Sequence, residues 1–392
     1  MQKARNGLVV LSVAALLVAC GGGGGSATPS TPVTVTPTPP VAETPAPIPA
    51  PTPAPDPVPT PIPVLATSYA NAKEQGLQAI TLPKDAEYAD AYAQADFKQD
   101  GNLMLFAAIL KYDVKNPATI DTPSVFQFYR KNGAGAWILE ANMIDTPVGC
   151  VHPRKAAVAD FNNDGRPDIL VACTGFDAEP FAGEENFLVL STASGVYTSK
   201  PIPSTPGYFH GAAAADFNGD GNVDFVVTDT TISSKGRMFL GNGNGTFTEN
   251  TLLPDVLAKE HFFTVEATDV NGDGKVDLLL GADEYPTKSS SQIVIGDGTG
   301  NFKASRVIGL PKEPEHGTIL DFVVKNHAIY ALRTSSKKEN FYETKAIQKI
   351  DMTTLAGTTV FAVNGKGWIK WLIPTATGVV SDNAQNPGGA SY

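Results

Sequence analysis

Three nine-residue segments of this chain carry oxygen-bearing side chains at positions 1, 3, 5 and 9 and a glycine at position 6. They begin at Asp160, Asp216 and Asp269. This spacing lets a short loop wrap around one hard cation, and the glycine supplies the backbone freedom for the bend. Without a cation, the three carboxylates of each segment would repel one another. Calcium is the expected ion, because it accepts about six to eight oxygen ligands at roughly 2.3–2.6 Å in a tolerant geometry.

We therefore predict a calcium site in each segment, with side-chain ligands at positions 1, 3, 5 and 9 and a backbone carbonyl ligand at position 7. The predicted ligands are Asp160, Asn162, Asp164, Arg166 and Asp168 in the first segment, Asp216, Asn218, Asp220, Asn222 and Asp224 in the second, and Asp269, Asn271, Asp273, Lys275 and Asp277 in the third. Arg166, Asn222 and Lys275 are the carbonyl ligands of these sets.

The flanks of the segments exclude an EF-hand, which needs a glutamate at position 12 and a helix on each side. Position 12 is Val171, Val227 and Leu280. A short apolar run rich in β-branched and aromatic residues follows each segment, which is typical of a buried strand. Each calcium loop is thus predicted to join two strands.

The spacing of the loops predicts the architecture. Their first residues fall at 160, 216 and 269, so the intervals are 56 and 53 residues, a regularity that indicates a solenoid or a propeller. A glycine-rich turn that leads to an aromatic residue follows each loop, at 241–247, at 296–302 and, more weakly, at 194–197. Each repeat reads as strand, calcium loop, strand, strand, glycine turn, strand. We predict an all-β chain folded as a β-propeller of four-stranded blades.

Two further repeats complete a set of five. The segment 96–104 has Lys98 and Met104 at ligand positions, so we expect it to keep the turn and to lose the ion. Near Asp321 the calcium segment is shortened to a tight turn, and 364–368 is expected to be the glycine turn of that repeat. The strand before each loop is rich in alanine, which predicts the innermost strand of a blade, where large side chains would collide.

The motif Asp-Phe-Asn-x-Asp-Gly-x-x-Asp followed by Gly-Asn-Gly-x-Gly-Thr-Phe resembles the FG-GAP or VCBS repeat proteins, which include the β-propeller of integrin α subunits. The resemblance covers roughly residues 85–373. It implies a propeller with calcium in the loop between the first and second strands of a blade, on one rim. Propellers of this family often have seven blades. With five repeats readable, either the ring has few blades, or it closes through the segment near 69–82, or the sequence is a fragment.

The N-terminus predicts export. Residues 1–19 have a basic start and a short apolar core, as a secretory signal peptide does. The sequence Leu17-Val-Ala-Cys20 looks like a bacterial lipobox, which implies cleavage before Cys20 and lipid on its thiol; the alternative is a plain signal peptide that contains a cysteine. Residues 20–66 are rich in Gly, Pro and Thr, and are predicted to be a disordered linker that leads to the propeller, residues 67–392.

These features predict a lipid-anchored protein of the bacterial cell envelope. Gly21 after the cysteine favours the outer membrane over the inner one, and the side of the membrane stays open. In an oxidising compartment Cys150 and Cys173 form either a disulfide or two buried free thiols. The formal net charge of −11 argues against nucleic acid and anionic lipid surfaces as partners.

Four of the five histidines precede an inner strand: His152, His210, His261 and His316. Their position predicts that they lie near the rim opposite the calcium loops, around the central funnel. They are either a site for a transition metal or a substrate, or solvated turn residues.

Two classes of function follow. The first is a binding or adhesion module for an unknown protein or glycan ligand, and the second is a propeller enzyme, a lyase or hydrolase acting on polysaccharide in the funnel. The motifs of serine hydrolases, zinc proteases and P-loop enzymes do not occur in the sequence, which favours binding. Convergent His, Arg, Tyr or carboxylate groups in the funnel would favour catalysis, whereas a shallow or alanine-filled centre would favour binding.

Overall fold

The computed structural model describes residues 82–381, except for 114, 231–235, 251–252, 255–259, 285–288, 336, 338–341, 365–370 and 375–377. The signal segment, Cys20 and the linker predicted above lie outside the described residues. Strands dominate the described part, which also contains two short 3-10 turns at Lys84–Ala86 and Pro117–Thr119. None of its helical turns is long and apolar enough to cross a bilayer.

Twenty of the described strands form five sheets of four strands each. The first blade contains β1 (Tyr92–Ala95), β2 (Met104–Ile109), β3 (Val125–Lys131) and β4 (Trp137–Leu139). The second contains β5 (Pro153–Ala159), β6 (Asp168–Cys173), β7 (Phe187–Leu190) and β8 (Thr198–Pro201). The third contains β9 (Phe209–Ala215), β10 (Asp224–Asp229), β11 (Arg237–Gly241) and β12 (Phe247–Asn250). The fourth contains β13 (Phe262–Thr268), β14 (Asp277–Ala282), β15 (Gln292–Val294) and β16 (Val307–Gly309). The fifth contains β17 (Thr318–Lys325), β18 (Ala328–Thr334), β19 (Thr344–Asp351) and β20 (Gly357–Asn364).

Within each blade the strands pair antiparallel in chain order. The first strands of successive blades contact one another, so β1, β5, β9, β13 and β17 are innermost. Ala212–Ala215 of β9 is buried where these strands meet. The prediction of a propeller of five four-stranded repeats is confirmed. The inner strands are rich in alanine in the first three blades only, because β13 contains one alanine and β17 contains none.

Aromatic pairs join neighbouring blades and explain why the two sequence landmarks recur together. Phe161, at position 2 of one predicted calcium loop, packs edge-on against Phe247, which ends the glycine turn of the next blade, at 5.8 Å between ring centroids. Phe217 meets Phe302 in the same way at 5.9 Å. In addition, the backbone N–H of Gly245 donates to the carbonyl oxygen of Phe161 at 2.9 Å. The loop of one blade and the glycine turn of the next therefore pack together at each of these blade interfaces.

The fifth blade departs from the repeat. Its first two strands are joined at Asn326 and His327, whose φ values of 50° and 59° are those of a tight hairpin, as predicted. The glycine turn of this repeat was expected at 364–368, but the turn between β19 and β20 is 352–356 and Asn364 ends β20. Residues 365–368 lie outside the described residues. The turn at 352–356 contains no glycine. Leu355 adopts the positive φ of 56°, and the carboxylate of Asp351 accepts the backbone N–H groups of Thr353 and Thr354.

A short hairpin, β21 (Leu372–Pro374) with β22 (Val379–Ser381), follows the fifth blade and was not predicted from the sequence. The backbone N–H of Leu372 donates to the carboxylate of Asp321 in β17 at 2.7 Å. Trp371 packs edge-on against Tyr92 of β1, 6.5 Å between ring centroids. The hairpin therefore contacts both the last blade and the first.

Candidate metal loops and candidate ligand site

The three predicted calcium loops have the same backbone fold. In the first loop, the side-chain oxygens of Asp160 and Asn162 both accept the backbone N–H of Asp164, at 3.1 and 3.0 Å. The same two bonds recur in the second and third loops. Each loop connects the first and second strands of its blade. The side-chain oxygens of positions 1 and 3 thus face one point at the start of the loop.

Positive φ values occur at two positions of each loop. The glycines at position 6, Gly165, Gly221 and Gly274, have φ values of 80°, 85° and 81°, which favour a residue without a Cβ. Position 4 is also left-handed, at 57° for Asn163 and 74° for Gly219. The restriction of position 4 to asparagine or glycine in these loops follows from that conformation.

The aspartate at position 9 is the first residue of the second strand and is fully buried in each loop. The carboxylate of Asp168 accepts the backbone N–H of Phe161 at 2.8 Å and that of Ser191 at 2.7 Å. Asp224 accepts the equivalent N–H groups of Phe217 and Gly241, at 3.0 and 2.7 Å. This carboxylate therefore ties the loop to the segment that ends the third strand.

Burial raises the pKa of Asp168 to about 7 and that of Asp224 to about 6, against the effect of their hydrogen bonds. A dication nearby would stabilise the ionised forms, and carboxylate and amide oxygens are the donors that calcium prefers. The residues present therefore fit the predicted ion. Calcium binding itself stays a prediction.

The loop of the first blade keeps the turn without the full donor set. The carboxylate of Asp96 accepts the backbone N–H groups of Asp100 and Gly101, at 3.0 and 2.7 Å, as in the other loops. Lys98, at position 3, pairs with Glu140 at 3.2 Å.

All these loops lie on one face of the propeller, which we call the loop face. Because the strands alternate in direction, the connections between second and third strands and between blades lie on the opposite face, which we call the mouth face. There the first strands of the second, third and fourth blades each carry a β-bulge near their start, where the pairing register shifts, and β17 of the fifth blade has a similar shift. The unpaired residues of the second to fourth blades are Arg154, His210 and Phe263. A bulge bends the strand and re-aims one side chain.

These bulged residues and two others form what we call the axial ring, with one member from each blade: Asp90, Arg154, His210, Phe263 and Leu320. The first four each lie six positions before the first aspartate of their loop. Leu320 is the residue left out of the pairing at the register shift in β17.

Neighbouring members of the axial ring interact. A guanidinium nitrogen of Arg154 donates to the carboxylate of Asp90 at 3.2 Å. The imidazole of His210 lies 4.2 Å from the ring of Phe263, centroid to centroid, at 36°. Phe263 packs against the apolar cluster that contains Leu320. The axial ring is thus charged on one side and apolar on the other.

A second set of side chains surrounds the axial ring. The phenol oxygen of Tyr112 lies 2.6 Å from Nδ1 of His152, and Nε2 of His152 lies 3.4 Å from the carboxylate of Asp90. Tyr208 donates a hydrogen bond to Asp177. Tyr342 packs edge-on against Phe263 at 6.4 Å between centroids.

Both histidines of this site are held neutral. Burial lowers the pKa of His152. Burial, followed by the charge of Arg154 and by His152, lowers the pKa of His210 well below its usual value. At neutral pH these imidazoles can donate and accept hydrogen bonds without carrying charge.

Below the axial ring the centre of the propeller is closed. Lys155, the residue after Arg154, extends from β5 to β13, where Nζ lies 2.5 Å from a carboxylate oxygen of Glu266 and 3.1 Å from the carbonyl oxygen of Val265. The ring of Trp371 lies 5.4 Å from the same Nζ. The mouth face therefore leads into a depression rather than a channel.

Comparison with known proteins agrees with this geometry. Residues 216–280 match the family model described as an FG-GAP-like repeat, a stretch that runs from one calcium-type loop past the next. Together with the five four-stranded blades, this match supports an FG-GAP repeat propeller. The chain is a β-propeller that contains an FG-GAP-like repeat.

Solved structures with a similar course of the chain include a protein described as a 6-phosphogluconolactonase from Bacteroides uniformis. It is 13% identical, with 79% of this chain and 82% of that chain covered and a TM-score of 0.49. The C-terminal domain of PilY1 from Pseudomonas aeruginosa is 10% identical, with 78% and 87% covered and a TM-score of 0.45. The FG-GAP assignment depends on neither of them.

The FG-GAP propeller brings two of the four singled-out histidines together, His152 and His210. The backbone of His261 is held in place, since its carbonyl oxygen accepts the N–H of Asp283 and its N–H donates to the hydroxyl of Ser289. Nδ1 of His316 lies 2.7 Å from a carboxylate oxygen of Glu313. The histidines therefore do not form one ring of four.

The two cysteines of the FG-GAP propeller, Cys150 and Cys173, are joined by a disulfide. The carboxylate of Glu184 lies beside it, within 4.8 Å of both sulfurs, and accepts the backbone N–H of Val151. Burial raises the pKa of Glu184 to about 7.

Sequence reasoning missed most of the mouth-face site, including Asp90, Arg154 and Phe263. A signal for them is present, because they share the offset of six residues before the loop. The prediction of the funnel site depended on one residue type, histidine. The blades instead place different residue types at one shared position.

Proposed function

We propose that this protein is a binding module of the bacterial cell envelope, anchored by lipid on Cys20 and holding its ligand at the axial ring. The FG-GAP propeller fold is in general that of an interaction module. The observation that carries the proposal is the axial ring itself, because each of the five blades delivers one side chain to one depression above a closed axis. A partly exposed depression with mixed polar and aromatic walls is the usual form of a ligand site.

Calcium has a separate role in this proposal. The calcium loops lie on the loop face, away from the axial ring, so the ions would brace the blades rather than touch the ligand. Extracellular modules bind calcium with a Kd of about 10⁻⁴–10⁻³ M. At tenfold excess over Kd, each site would add about 1.4 kcal/mol to the free energy of unfolding.

The experiment is a pulldown and a glycan-binding assay with the full chain in mild detergent, each with calcium and with EDTA, beside thermal melting. We expect bound ligand in calcium and a lowered melting temperature in EDTA. An unchanged melting curve in EDTA would overturn the calcium role. Absence of any ligand from a folded, calcium-loaded chain would overturn the binding role.

One observation favours an enzyme as the second candidate. Tyr112, His152 and Asp90 form a connected chain of hydrogen-bonding groups next to Arg154, so His, Arg, Tyr and carboxylate groups do converge at the mouth face. The phenol of Tyr112 is a poor candidate for a general base, because burial raises its pKa and it stays protonated at neutral pH. Shortening of a polysaccharide incubated with the chain, and its loss in His152→Gln, would establish catalysis in place of simple binding.

A further inference from the structure

The axial ring lies in a place that solvent reaches. His210 and Phe263 are partly exposed, and the Arg154 side chain keeps 11% of its surface. Below them, Lys155 and Glu266 are buried at the centre of the propeller. Partly exposed side chains around a buried centre line a depression. The axial ring is therefore a lining that a ligand can reach.

One wall of the depression is a run of aromatic rings. Tyr208 and His210 lie 5.1 Å apart between centroids, His210 and Phe263 lie 4.2 Å apart, and Phe263 and Tyr342 lie 6.4 Å apart. The exposed ring of Phe181 extends the run beyond Tyr208, at 6.0 Å. Such a wall offers flat apolar contact area at a low cost in side-chain entropy.

The opposite wall is polar and carries charges of both signs. The Arg154 guanidinium interacts with the carboxylate of Asp90, and its charge also acts on His210 and Tyr342. On the aromatic side, the Asp177 carboxylate accepts a hydrogen bond from Tyr208. An anion at the centre would face two carboxylates, and a cation would face the guanidinium. The wall therefore suits an uncharged ligand that exchanges hydrogen bonds.

From these two walls we infer that the axial ring binds a neutral saccharide, with the apolar face of a sugar ring on Phe263 and its hydroxyl groups toward Asp90, Arg154 and the imidazole of His210. This inference rests on the proposed binding function and specifies its ligand. Carboxylates, guanidinium groups and neutral imidazoles together can donate to and accept from hydroxyl groups. The saccharide class predicted is neutral, so uronate polymers are excluded.

The test is titration calorimetry of the full chain in calcium with three probes: neutral hexose oligosaccharides, uronate oligosaccharides of equal length, and a lysine-rich peptide. We expect binding of at least one neutral oligosaccharide. Its affinity should be nearly unchanged between about 0.05 and 0.5 M salt, because screening acts only on charged partners. Preference for the uronate or for the peptide, with a strong salt dependence, would overturn the inference.

Variants locate the site. Phe263→Leu keeps apolar volume against Leu320 and removes the flat face, so we expect about tenfold weaker saccharide binding. Asp90→Asn should weaken it several-fold with little change in melting temperature. The matched control is His261→Ala, which removes a histidine on the same face but outside the axial ring. This variant should bind the saccharide as the wild type does. Equal binding by Phe263→Leu and the wild type would place the saccharide elsewhere.

The outcomes separate this inference from the proposed function. Capture of a protein partner without saccharide binding would leave the binding module standing and end the saccharide inference. Cleavage of a bound neutral saccharide would keep the inference and replace simple binding by catalysis. A folded chain that binds none of the three probes and captures no partner would end both.

Discussion

Lys155 of the second blade and Glu266 of the fourth form an ion pair across the axis of the propeller, with 2.5 Å between Nζ and the carboxylate oxygen. Lys155 has no exposed surface and Glu266 keeps 2%. The two residues are 111 positions apart in the chain. The pair links β5 to β13 in the buried interior, beside the ring of Trp371.

Removal of one partner of this pair should destabilise the fold strongly. We expect Lys155→Met to lower the free energy of unfolding by about 3–5 kcal/mol, because Glu266 would be left charged in the interior. The double variant Lys155→Met with Glu266→Leu should recover most of that loss. Urea unfolding at neutral pH in calcium measures both.

Lys98→Met is the matched control, since Lys98 pairs with Glu140 at the surface at 3.2 Å with 36% of its side chain exposed. It should cost less than about 1 kcal/mol. A Lys155→Met variant no less stable than this control would show that the axial pair contributes nothing.

Positions 5 and 9 of a calcium loop should respond differently to loss of charge. Asp224 is buried and accepts two backbone N–H groups, so Asp224→Asn should destabilise the propeller by about 1–3 kcal/mol with or without calcium. Asp220 is exposed, and Asp220→Asn should lower the melting temperature in calcium while matching the wild type in EDTA.

Asp100→Asn, at position 5 of the first-blade loop, is the control for the ion. It should leave the gain in melting temperature on adding calcium unchanged. If Asp220→Asn also left that gain unchanged, the second loop would not be a calcium site.

Glu184 should make stability depend on pH. Its folded-state pKa is raised to about 7, mainly by burial, above the ordinary value of 4.5. The favourable contribution of Glu184 to the free energy of unfolding is complete below about pH 4.5 and is lost as pH rises toward 7. Urea unfolding in saturating calcium should therefore show a smaller loss of stability from pH 5 to pH 8 in Glu184→Gln than in the wild type. Parallel pH profiles for the two proteins would refute this assignment.

The disulfide between Cys150 and Cys173 should protect both thiols. Alkylation of the denatured chain without reductant should add no alkyl group to the peptides that contain them, and alkylation after reduction should add two. The variant Cys150→Ala with Cys173→Ala should lose about 2–4 kcal/mol of stability. Mass spectrometry measures the alkylation, and urea unfolding measures the loss of stability. A gain of two alkyl groups without reductant would mean free thiols.

The sequence by itself determined the features that depend on neighbouring residues. The loop spacing, the glycine at position 6 and the strand that follows Asp168 are local requirements of the backbone. Their regular recurrence was enough to predict five four-stranded blades. The position of the turn between β19 and β20 was predicted wrongly, because this turn contains no glycine. It is formed by Leu355 at positive φ and by the Asp351 carboxylate, which accepts the N–H of Thr354.

Only the tertiary structure decided what the blades place at their centre. The axial ring joins Asp90 to Arg154, and the plug joins Lys155 to Glu266. These partners belong to different blades and meet only because the sheet units close around one axis. The repeat pattern shows that each of the first four blades contributes a residue six positions before its loop. Which side chains then face one another, and which charges they balance, is a property of the closed ring.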